Sequence, residues 1–124
     1  MIPQYQNINY QQFRNVLAQQ QPQFFKLVFF YTSTCGVCKP ILPQLDSIGG
    51  RLGAGEAGFP TQLSVVLIDA YSQALSSNVG FRTVPTFVLY GQGPNPQIIA
   101  GHEGPMNEPQ VIPWVRQNLA SLGA

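Results

Sequence analysis

Residues Tyr31–Pro43 read YTSTCGVCKPILP, and both cysteines of the chain, Cys35 and Cys38, lie in it three positions apart. A pair so spaced serves as a reversible disulfide, as half of a metal site, or as a structural staple. The flanking residues weigh among these. Just upstream, Lys26–Tyr31 (KLVFFY) is a continuous run rich in β-formers, the pattern of a buried strand. Downstream, CGVCKPILPQLDSI changes period: Ile41, Leu42, Leu45 and Ile48 recur as one helical face, and Gly49 and Gly50 mark its end. The cysteines therefore stand where a buried strand hands over to a helix.

That position carries a chemical consequence. Unpaired N–H groups and the positive end of a helix dipole stabilise an anion, so the Cys35 thiol is expected to ionise more readily than a free one. Cys38, one turn further on, can bridge to Cys35 but is more buried, which makes Cys35 the nucleophile and Cys38 the resolver. Lys39 adds a nearby cation. A zinc site would need four ligands and finds few, since His102 is the only histidine. A bridge across three residues closes a very short loop and stabilises little as a staple. The strand–CxxC–helix setting favours a redox pair, with zinc and inert staple as the rivals; no metal is expected.

Working outward, Asn9–Gln20 reads as a helix with Asn9 as N-cap and Phe13, Val16 and Leu17 on its apolar face. Gly49–Gln62 reads as a flexible loop and Leu63–Asp69 as a second buried strand. Tyr71–Val79 forms a short helix stopped near Gly80. Thr86–Tyr90 and Gln97–Ala100, joined by the turn GQGPNP, make a hairpin. Asn107–Leu122 closes the chain as a helix capped by Asn107 and kinked at Pro113. The order α-β-α-β-α-β-β-α describes an α/β sheet covered by helices.

The 124 residues and 13.6 kDa fit one domain, residues 1–124. Only 9% of residues are charged, against about 25% in an average domain. Fifteen Gln and seven Asn supply polarity instead. A net charge of +1 without a basic run gives no support for capture of nucleic acid or an anionic membrane. The longest apolar run, Leu27–Tyr31, falls far short of the roughly 18 residues of a membrane span. The start MIPQYQNINYQQF has neither a basic nor an apolar leader region, so a cytoplasmic, thiol-reducing location is expected. In such a compartment a cysteine pair is more often catalytic or metal-binding than structural. The Gly-rich stretch 49–58 lacks the GK[ST] of a phosphate loop.

FYTSTCGVCKPILPQL (residues 30–45) resembles the active-site strand and helix of thioredoxins, and VGFRTVPTFVLYGQG (residues 79–93) resembles their second signature. The resemblance implies the thioredoxin fold, a central mixed β-sheet of four to five strands sandwiched between helices. It implies that Pro85 is a cis-proline facing the CxxC. It also implies that Val84 offers its backbone to an extended substrate segment, with Gly36, Val37 and Gly104 lining the groove. The implied activity is thiol–disulfide oxidoreduction: Cys35 attacks a protein disulfide and Cys38 releases the reduced product. An external reductase or thiol supplies electrons, no cofactor is bound, and the chain acts as a monomer.

Several positions depart from that pattern. Thr34 stands where thioredoxins carry Trp, and Gly36-Val37 replaces Gly-Pro between the cysteines. Phe29 and Val65 occupy the places of the family's buried Asp and Lys, which leaves Cys38 without the acid that helps deprotonate it. Pro43 matches the family's helix-kinking proline. Pro40 is additional; it removes an N–H that would bond back near Gly36 and so loosens the turn that tunes Cys35. These departures keep two alternatives open: a binding or assembly module on the same fold, and a disulfide oxidase or isomerase of an oxidising compartment. Asp69 is read as the cap of the following helix, His102 and Glu103 as a satisfied surface pair, and Tyr31 as core packing beneath the site.

Overall fold

Strand β2 (Phe25–Tyr31) is buried along nearly its whole length, and it lies at the centre of the sheet. The computed structural model describes residues 2–69 and 72–122. Its elements are β1 (Gln4–Gln6), α1 (Tyr10–Gln19), β2, α2 (Leu45–Gly53), β3 (Thr61–Leu67), α3 (Ser72–Val79), β4 (Thr86–Tyr90), β5 (Ile98–Glu103) and α4 (Glu108–Ala120). Five strands form one mixed sheet in the order β1-β3-β2-β4-β5. β2 runs parallel to β3, with Phe29 opposite Val65, and antiparallel to β4, with Phe30 opposite Thr86. β4 and β5 form the expected hairpin. This is the α/β architecture of the thioredoxin fold.

Alternation along β2 sorts its side chains onto two faces. Leu27 and Phe29 join one core with Leu45, Ile48, Leu52, Val111, Val115 and Leu119 from α2 and α4. Val28 and Phe30 join the other with Phe13 and Leu17 from α1 and Leu75 from α3. Lys26 lies on the second face. It is fully buried, and its Nζ donates to the carbonyl of Gly93 at 3.4 Å. Burial alone pushes its pKa down.

The structure corrects several expectations. β1 is a strand that the sequence pattern does not announce: QYQ is three residues long and polar, and it exists by pairing with β3. α2 runs through Gly49 and Gly50 to Gly53, because Ile48 and Leu52 on its inner face are buried in the core. Gly49 has a packing role there, since a Cβ would stand 2.5 Å from Cγ2 of Ile2, which crosses the helix. β3 spans Thr61–Leu67, two residues earlier than expected at each end, so Asp69 lies beyond the strand. β5 extends to Glu103. α4 covers Glu108–Ala120 with Pro113 inside it, on the exposed side. The expected start of α3 at Tyr71 lies outside the described residues.

Candidate active site

Cys35 follows β2 in extended conformation and caps a single turn of 3₁₀-helix, Gly36–Cys38. The Cys38 and Lys39 N–H groups donate to the carbonyls of Cys35 and Gly36, both at 3.3 Å. A second 3₁₀ turn covers Leu42–Gln44, and regular α-helix begins only at Leu45. The continuous helix expected from Cys35 is therefore absent. Pro40 and Pro43 explain it, because each lacks the N–H that an α-helix would send back four residues, to Gly36 and Lys39. Leu42 pays no part in the inner face for the same reason and is exposed. The dipole facing Cys35 is that of one short turn.

The two cysteines are joined, with S–S 2.07 Å, χ3 79° and Cα–Cα 5.3 Å. Cys38 is buried beneath the turn, whereas Cys35 is half-exposed. Gly36 and Val37 between them are exposed, as are Thr34, Lys39 and Pro40.

Sheet register brings the second signature to the same end of the molecule. The last residues of β2 pair with the first of β4, and Thr86 pairs in turn with Glu103 of β5. The Val84–Pro85 peptide that leads into β4 is cis. Gly104 follows β5 with φ +112°, a conformation that favours glycine, and its N–H donates to the Pro85 carbonyl at 2.8 Å. Thr32, Ile68, Phe81, Arg82, Thr83 and Val84 line a shallow groove of about 320 Å³ here. A roomier depression of about 550 Å³ lies elsewhere, between the N-terminal segment and α2.

Two carboxylates hold the loops of this site, and neither contact is legible in the sequence. Asp69 accepts hydrogen bonds from the Ser33 N–H at 2.9 Å and from the Ser33 hydroxyl, tethering the loop that leads into Cys35. Those two bonds, the hydroxyl first, hold the Asp69 carboxyl below its ordinary pKa. Its expected role as a helix cap concerns residues 70 and 71, which lie outside the described ones. Glu103 accepts from the N–H groups of Arg82 and Thr83 at 2.7 and 3.1 Å. His102 and Glu103 are thus not a pair: His102 meets Trp114 edge-on, with ring centroids 6.1 Å apart. Neighbours along a strand point to opposite faces, and only a contact map could have shown these partners.

Beneath the disulfide the core is wholly apolar. Phe29 and Val65 are register partners, both buried, and share one cluster with Cys38. Phe29 packs on Tyr31 and Phe87 with centroids 5.7 and 5.0 Å apart. Among the described residues no three His, Cys, Asp or Glu side chains converge as metal ligands would.

A disulfide just after the central strand and a cis-proline just before the neighbouring strand, at the same end of the sheet, are features to compare with known proteins. The family model described as Thioredoxin matches residues 4–115. The chain belongs to the thioredoxin family. A thioredoxin-like protein of Synechocystis is 32% identical over 87 residues, covering 69% of this chain and 73% of that protein. The thioredoxin of Malassezia sympodialis is 29% identical over 93 residues, 75% of this chain and 81% of its own. Its crystal structure superposes with a TM-score of 0.64, covering 95% of each chain at 25% identity. A Schistosoma mansoni thioredoxin pre-protein gives a TM-score of 0.70 over 93% of this chain and 97% of its own; at 16% identity it speaks to the fold alone. Membership of the thioredoxin family and the Cys35–Cys38 disulfide together make the chain a thiol–disulfide oxidoreductase.

Proposed function

We propose that the chain works in the reducing direction, as a protein-disulfide reductase. The observation that carries this reading is the asymmetry of the pair, a half-exposed Cys35 over a buried Cys38, at the same end of the sheet as the cis Val84–Pro85 peptide, where Val84 is half-buried. With both cysteines reduced, the Cys35 thiolate attacks one sulfur of a substrate disulfide and expels the other as a thiolate. The Cys38 thiolate then attacks the Cys35 sulfur and releases the second substrate thiolate. Two electrons pass to the substrate and the chain is left in the disulfide form described above. An external reductase or dithiol returns it to the reduced state.

Substrate enters as an extended segment alongside Val84, with Gly36, Val37 and Gly104 as the remaining walls. Val37 offers an apolar contact, being 56% exposed. Thr34, Lys39 and Pro40 tune the reactivity of Cys35 through access, charge and turn stiffness. The reading places the protein in a thiol-reducing compartment, acting as a monomer on proteins that carry disulfides.

Trapping tests it. Cys38→Ser is expected to accumulate mixed disulfides with lysate proteins that dissolve on addition of dithiothreitol, while Cys35→Ser accumulates none. Capture of nothing by Cys38→Ser would refute the mechanism. A measured reduction potential near that of disulfide oxidants, about −120 mV, would refute the direction.

A further inference from the structure

We propose that Glu103 is a positioning residue for the substrate-docking backbone. It ends β5 opposite Thr86, the first residue of β4, so its side chain reaches past the strand end to the loop before the cis-proline. There a single oxygen, Oε1, accepts from two consecutive N–H groups, those of Arg82 at 2.7 Å and Thr83 at 3.1 Å. Both bonds are charge-assisted, which makes them roughly twice as strong as neutral ones. The loop is tied on its other side as well. The Thr83 carbonyl accepts from the Thr86 hydroxyl, and the Pro85 carbonyl accepts from Gly104 N–H at 2.8 Å.

These anchors bracket Val84 and leave it out. None of them uses the N–H or the C=O of Val84 itself. A loop fixed on both sides of one residue presents that residue's backbone in a set direction, which is what pairing with an extended segment needs. Without the carboxylate, the Arg82 and Thr83 N–H groups would turn to water and the loop would sample other conformations. Substrate would then have to order it on binding. The cost falls on docking and not on the sulfur chemistry, which takes place at Cys35.

This inference rests on the docking role proposed for Val84, and the experiment separates the two. Steady-state reduction of insulin disulfides and amide hydrogen exchange at Arg82 and Thr83 are measured for wild type, Glu103→Ala and Glu103→Gln. Glu103 is exposed, so truncation opens no cavity. Glu103→Ala is expected to raise KM about tenfold with kcat within about twofold, and to speed exchange at both amides about tenfold. Glu103→Gln keeps an acceptor oxygen in place and is expected to recover most of both losses. Unchanged KM and unchanged exchange in Glu103→Ala, with an active wild type, would overturn the positioning role alone. A wild-type chain that turns over no insulin would overturn the docking reading, and this one with it.

Discussion

Phe29→Asp puts the missing proton-transfer group where thioredoxins carry it, and the structure allows both its cost and its gain to be estimated. Phe29 is fully buried and packs against Phe87 and Tyr31. Truncating such a ring costs about 3–5 kcal/mol, and a buried carboxyl without a partner adds about 1–3 more. Val65 opposite offers no charge to offset it. Against a typical domain stability of about 5–15 kcal/mol the variant survives as a weakened fold, so its near-ultraviolet circular dichroism must be checked first. The gain is kinetic. A carboxylate beneath Cys38 takes the thiol proton as the mixed disulfide resolves, and general-base catalysis is worth about 10²-fold or more. Burial raises the carboxyl's pKa, so the assisted rate should climb with pH until the base is ionised. The unassisted rate keeps following the Cys38 thiolate, so the advantage narrows at alkaline pH. Single-turnover stopped-flow release of a fluorescent peptide thiol from Cys35 measures the step at several pH values. Equal rates in the folded variant and wild type would refute the reasoning, as would the same gain from Phe29→Leu, which loosens the core without supplying a base.

Other outcomes follow from the same contacts. Lys26→Met should stabilise the protein by about 1–4 kcal/mol in urea denaturation, because a buried ammonium with one long hydrogen bond gives way to an apolar isostere. The folded pKa of Lys26 lies below its ordinary 10.5, so the folded state sheds the proton first. Wild-type stability should therefore climb as pH rises from that lowered value towards 10.5, and the climb should be missing in the variant. Pro40→Ala restores an N–H that can bond to the Gly36 carbonyl. The midpoint of Cys35 alkylation by iodoacetamide should then move to lower pH, and no movement would show that the turn does not tune the thiolate. Gly50→Ala, where a Cβ meets nothing within 4 Å, should stabilise α2 by about 1 kcal/mol, while Gly49→Ala should lose that gain against Ile2 in thermal melts.

Much of this molecule is written locally, and much is not. KLVFFY announces a buried strand because burial on both faces removes the need for alternation, and the structure makes it the sheet's centre. The cysteine spacing, the hairpin and the Asn9 cap are equally local signals. The start of α2 is not legible because Leu42, at helical spacing from Leu45, falls in a turn that two prolines wind as 3₁₀. Its end is hidden because core packing of Leu52 outweighs the glycine penalty. β1 exists only through its partner strand. Lys26 hides in plain view, since one lysine at the edge of an apolar run is ordinarily solvated. The carboxylates of Asp69 and Glu103 find partners 36 and 20–21 residues away in the chain, beyond any periodicity.

The helix starts have a consequence of their own. At α1 the Asn9 side chain accepts from the Gln12 N–H at 2.8 Å, and the Gln12 side chain accepts from the Asn9 N–H at 2.9 Å. At α4 the Asn107 N–H donates to the Gln110 side chain at 2.8 Å, and the Glu108 N–H donates to Gln44 at 2.7 Å. Every acceptor in this set is an amide, where a box of this kind often uses a glutamate. Amides do not titrate, and ions in solution have no net charge on them to screen. These four hydrogen bonds are therefore indifferent to acidity and ionic strength, so the Gln- and Asn-rich composition builds caps that persist where carboxylate caps would be neutralised. At α4 only the Glu108 carboxylate beside them, paired with Arg51, answers to either.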